Sequence, residues 1–117
     1  MIERTLIDYL GTNLTNIPVF AERPLDIPEK YVLIEKTGSS RENMITTSTI
    51  AIQSVVDSLQ GGSMLDAMDL NEDVKEVMDG IITLDEIVRV DLNSDYNYTD
   101  DSTKEYRYQA VYQITHY

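Results

Sequence analysis

Read by twos, the segment Tyr106–Tyr117 sorts into two faces. Tyr106, Tyr108, Ala110, Tyr112 and Ile114 share one side. Arg107, Gln109, Gln113 and Thr115 share the other, where Val111 is the one apolar member. Side chains alternate along a strand, so this pattern predicts a long, half-buried β-strand over Lys104–Tyr117. Such a strand needs a sheet beside it and an apolar layer over one face. Its four tyrosines point to an aromatic contact surface rather than a catalytic pocket.

The remaining elements follow from local pattern. Ile2, Leu6, Ile7, Leu10 and Leu14 recur every three to four residues, which predicts a helix over Ile2–Leu14. Val19–Ala21 reads as a short strand, and the two prolines of Arg23–Pro28 make that stretch a loop. Tyr31–Thr37 and Met44–Asp57 are rich in β-branched residues and read as strands, joined by the polar stretch Gly38–Asn43. Gly61-Gly62 punctuates the chain, and Ser63 with Asp66 forms a capping-box variant at the start of a helix Met64–Asp79. Its expected inner side is Met64, Leu65, Ala67, Met68, Val74, Val77 and Met78, with six acids outside and Gly80 as a left-handed cap. Leu84–Leu92 reads as a strand, and Asn93–Thr103 as a protruding, loosely ordered acidic hairpin loop. The expectation is a single two-layer α+β domain spanning residues 1–117, in the order α-β-β-β-α-β-β. A mainly antiparallel four-stranded sheet would carry two helices on one face.

Charge is the extreme of the composition. Asp and Glu number 21 against 9 Lys and Arg, a formal −12. Such a chain is repelled by free nucleic acid and anionic membranes. No apolar run approaches the roughly 20 residues of a membrane span. The start Met1-Ile2-Glu3-Arg4 lacks a signal-peptide layout, so the expected site of synthesis is the cytoplasm.

Catalytic constellations are scarce. The single histidine, His116, is penultimate and reads as a solvated strand-end residue. There is no cysteine. Asp91, Asn93 and Asp95 match the first ligand positions of a calcium loop, but Tyr96 stands where glycine is required and Ser102 where glutamate is. No catalytic, metal or cofactor-binding residue is therefore assigned. Arg41, Asp95, Tyr96, Tyr98, Asp100, Asp101 and Arg107 are the candidate partner-interface residues, because Tyr and Arg bring contact area and hydrogen bonds together.

The runs Pro18–Pro24 and Pro28–Gly38, then Ile50–Ser54 and Tyr106–Tyr112, together resemble a known group. It is the tail terminator, or tail completion (minor capsid), family of long-tailed phages and prophages of Gram-positive bacteria. The resemblance extends from about Pro18 onward. It implies a virion protein assembled in the bacterial cytoplasm. Its subunits form a homo-hexameric ring that caps the tail tube protein, stops polymerisation and meets the head-tail connector protein. DNA would pass through without specific binding. A head-completion or connector protein of the neck is the alternative reading, and an acidic DNA-mimic inhibitor a second one.

Overall fold

A computed structural model describes residues 1–117. The elements are α1 (Ile2–Asn13), β1 (Val19–Phe20), β2 (Lys30–Glu42), β3 (Ile45–Asp57), α2 (Met64–Met78), β4 (Ile87–Asn97) and β5 (Glu105–His116). Short 3-10 turns occupy Ser58–Gln60, Ile81–Thr83 and Asp101–Thr103. No helix is long and apolar enough to cross a membrane.

The molecule is α+β, but its sheet differs from expectation. It has five strands in the order β1-β2-β3-β5-β4 and is mixed, not four-stranded and antiparallel. β1 runs parallel to β2, pairing Val19 with Val32 and Phe20 with Leu33. The proline-bearing loop after β1 turns the chain out and back, so a short connection here joins parallel rather than antiparallel neighbours. The other pairs are antiparallel. A helical crossover returns the chain in its original direction, so β4 runs parallel to β3. Between them lies a one-strand gap, which β5 fills.

Two strands are longer than their hydrophobic patterns. β2 continues through Gly38–Glu42 as an exposed polar strand paired with Ile45–Thr49. The turn between them is Asn43-Met44, and both residues have positive φ, at 51° and 66°. Met44 is therefore turn, not strand. β4 begins at Ile87 rather than Leu84 and runs to Asn97, so the first half of the expected acidic loop is ordered strand paired with β5.

The core lies between the helices and one face of the sheet. Ile2, Leu6, Leu10 and Leu14 meet Leu70, Val74 and Met78 of α2. The sheet contributes Val32, Ile34, Ile50, Ile52, Ala110, Tyr112 and Ile114 to the same cluster. Burial pushes the Tyr112 hydroxyl up to about 12.

Helix α2 is turned from its expected setting. Its buried residues are Ala67, Leu70, Asn71, Val74 and Met78, while Leu65 is 69% and Met68 39% exposed. At roughly 100° per residue, Leu65 lies about 160° around the helix from Ala67, on the opposite side. Leu70 and Asn71 take the inward positions that Leu65 and Met68 were expected to fill. The capping box forms as read, with Ser63 N–H donating to Asp66 Oδ2 at 3.0 Å and Asp66 N–H to Ser63 Oγ at 3.2 Å. Gly80 is not left-handed, and a Cβ there would crowd only the tip of the Tyr9 side chain, with Oη at 2.8 Å. Gly62 is required more strongly, since a Cβ there would overlap Val56 Cγ1 and lie 2.9 Å from the Asp57 carbonyl oxygen.

The turned helix gives a discriminating test. Leu70→Ala should cost about 2–4 kcal/mol, the usual range for a buried leucine, whereas Leu65→Ala should stay within about 0.5 kcal/mol. Urea denaturation of the two variants measures both. Equal losses would mean that α2 buries the other side.

Candidate interaction surface

The sheet face away from the core carries a connected polar network. Residues of opposite parity to the core set line it: Tyr31 on β2, Gln53 and Val55 on β3, Glu105, Arg107 and Gln109 on β5, and Tyr96 on β4. Cross-strand register places Gln53 against Gln109 and Val55 against Arg107. The loop after β1 folds over one end, where the Phe20 and Tyr31 rings meet edge-on at 5.9 Å.

Glu105 is the centre of this network, with its side chain 1% exposed. Arg23, on that loop, donates to Glu105 Oε1 from Nε at 3.2 Å and from Nη2 at 2.9 Å. Tyr31 Oη donates to Oε2 at 2.5 Å, and Arg107 Nη2 to Oε1 at 3.2 Å. Arg107 Nη1 then donates to Gln53 Oε1, Gln53 Nε2 to Gln109 Oε1, and Gln109 Nε2 to Tyr96 Oη at 2.6 Å. The chain of bonds crosses four strands. Burial alone would raise the Glu105 carboxyl, but hydrogen bonds from Tyr31, Arg23 and Arg107 outweigh it and hold the group below its ordinary value. The Tyr31 hydroxyl is pushed up to about 12, first by burial and then by its bond to Glu105. The carboxylate is saturated with donors, so it anchors the loop and the strands. Arg107 Nε is buried without a partner, which leaves the network short of full satisfaction.

The sequence-predicted residues do not form one site. Tyr96 and Tyr98 are exposed and meet edge-on at 6.1 Å beside this network. Asp100 and Asp101 lie in the adjoining turn; Asp100 accepts from Ser102 N–H and Oγ, which lowers its pKa. Arg107 belongs to the same region but is bound inside it, with only 13% of its side chain exposed. Asp95 faces α2 instead, accepting from Lys75 Nζ at 2.8 Å and Asn71 Nδ2 at 2.9 Å. The Lys75 bond is the chief reason its carboxyl is held low. That contact fastens α2 to β4 and leaves Asp95 unavailable as a mobile contact residue. Arg41 lies far off, paired with Thr46 near the β2–β3 turn, at the opposite end of the sheet.

Several partners escaped the sequence reading. Arg23 and Tyr31 lie 82 and 74 positions from Glu105, and no local pattern links them to it. The one available signal was parity: Glu105, Arg107 and Gln109 alternate with the tyrosines and so share a face. His116 is not solvated; it is 9% exposed and its Nε2 is 2.9 Å from Ser48 Oγ. The calcium-like triplet lies on β4, where Asp91 pairs with Arg89 and Asp95 with Lys75. No group of three or more His, Asp or Glu is placed to hold a metal ion. No protein-family model matches the chain, and no curated protein matches it.

The buried carboxylate makes stability depend on acid. A carboxyl whose folded pKa is depressed contributes fully above its unfolded value, here 4.5, and loses that contribution as pH falls toward the folded value. Glu105→Gln should strand Arg107 and cost on the order of 3 kcal/mol at neutral pH. It should also flatten the loss of stability below the ordinary glutamate range. Urea midpoints from pH 7 down to 3 measure both effects; an unchanged acid slope would remove Glu105 as its source.

Proposed function

We propose that this protein is a structural subunit of a phage tail, capping the tail tube as a hexameric ring and joining it to the head connector, without enzymatic activity. The observation that carries this reading is the unlikeness of its surfaces. A ring that closes head to tail needs two different faces on one subunit. The β2–β3 hairpin extends as an ordered arm in which every residue from Glu35 to Met44 is exposed. The arm contributes to a long shape of 47 × 26 × 24 Å. The other end of the sheet offers the Tyr96–Tyr98 pair beside the Glu105 network. The resemblance of the blocks from Pro18 to Tyr112 to tail terminators supplies the biological setting. The excess of acid suits a conduit that DNA crosses without adhering, because clustered Lys and Arg are what release counterions on binding.

The test is genetic and physical together. Removing the protein during phage assembly should give tails of abnormal length and heads that fail to join. Purified protein should assemble to six copies, alone or on isolated tubes, and show no measurable affinity for duplex DNA at physiological salt. Heads and tails of normal form that stay separate would move the protein to the head-connector role. Normal virions in its absence would reject both.

A further inference from the structure

The hairpin arm ends in a residue that its backbone does not favour. A two-residue turn with positive φ at both positions is best served by Asn-Gly. Here the second position is Met44, at φ 66° and 75% exposed. A bulky side chain at positive φ is disfavoured, and its thioether arm stands in water. Neither local conformation nor packing accounts for it. Arg41, exposed on the same tip, has no ion-pair partner in the chain. Glu42 projects to the other side of the strand.

A complementary surface exists at the far end of the helices. The C-terminal ends of α1 and α2 enclose an open groove of about 600 Å³. Its apolar side chains are Leu14, Ile17 and Val77, with Tyr9 beside them donating from Oη to the Val77 carbonyl at 2.9 Å. Asp73 and Glu76 add exposed negative charge, and no Lys or Arg lines it. Both acids lack ion-pair partners.

We infer that the β2–β3 tip of one copy docks in the α1–α2 groove of a second copy, Met44 on the apolar floor and Arg41 against Asp73 and Glu76. The chain cannot make this contact with itself. Lys36 meets Glu3 at the start of α1, so the tip continues beyond that end. With about 3.4 Å per strand residue and 1.5 Å per helix residue, the tip lies on the order of 35 Å from the groove. The inference rests on the ring reading for its head-to-tail geometry and names the contact that builds it.

Sedimentation over a wide concentration range tests the contact. Met44→Gly should fold at least as stably as the parent, since glycine suits the turn, yet weaken self-association at least tenfold. Arg41→Glu and Glu76→Arg should each do the same without unfolding the chain. Mixing a tip variant carrying Arg41→Ala and Met44→Gly with the groove variant Glu76→Arg should yield heterodimers and nothing larger, because one intact tip and one intact groove pair while the altered tip and altered groove have no attraction left. Tip variants that assemble like the parent, or a mixture that stays monomeric, would overturn the docking. So would a parent protein that remains monomeric at every concentration. Phage-assembly phenotypes are read separately, so the tail role can fail while docking stands, or the reverse.

Discussion

Everything in this fold depends on β5 entering the gap between β3 and β4. The α2 crossover brings β4 back parallel to β3, one strand-width away, with its inner backbone groups unpaired until β5 arrives. β5 then satisfies both neighbours along its length, from Thr46↔His116 to Asp57↔Glu105 on one side and from Ile87↔His116 to Asn97↔Tyr108 on the other. The same strand gives Ala110, Tyr112 and Ile114 to the core and Glu105, Arg107 and Gln109 to the opposite face. Apolar burial and the polar network are thus two sides of one strand. Closing such distant pairings delays folding, because loop entropy is lost before the contacts form.

The two faces are stabilised by different physics. The core side relies on non-directional burial, so it tolerates a helix turned about its axis so long as volume is filled. The other side relies on a buried carboxylate shared among two guanidiniums and a phenol. Such a site tolerates little displacement, since losing one partner leaves charge without compensation. It also fixes the loop carrying Arg23 against the sheet. Tyr96, at the far end of the bond chain, is therefore presented on a rigid background, which lowers the entropy lost when a partner covers it.

Much of the fold was legible where one rule dominated. β3 is densely β-branched, β5 alternates strongly, and Ser63 with Asp66 marks the start of α2 unambiguously. Legibility failed where distant partners decide. Ser94, Asp95 and Asn97 look like loop residues, yet β5 supplies their backbone partners and Lys75 neutralises Asp95. Leu65 looks like core, yet Leu70 and Asn71 take the inner face, where Asn71 Nδ2 bonds Asp95 and its Oδ1 stays without a partner. Of the expected contact residues, Arg41, Tyr96, Tyr98, Asp100 and Asp101 are exposed, whereas Asp95 and Arg107 are committed within the chain. Only pairings across 20 residues or more separate the two groups.

The open edges of the sheet carry register breaks. β2 shifts between Lys36 and Gly38, and β4 shifts between Ile87 and Arg89 and again between Leu92 and Ser94. On β2 the break separates the seven residues Lys30–Lys36, of which β1 covers Val32 and Leu33, from the five of Gly38–Glu42; on β4 the breaks leave Arg89–Leu92 and Ser94–Asn97, four residues each. Fibrillar stacking draws on flat segments of about six or seven residues. Short, broken or covered edge stretches of this kind are poor templates for the strand of another chain. Backbone geometry thus opposes edge-to-edge pairing independently of the repulsion that the acidic surface supplies.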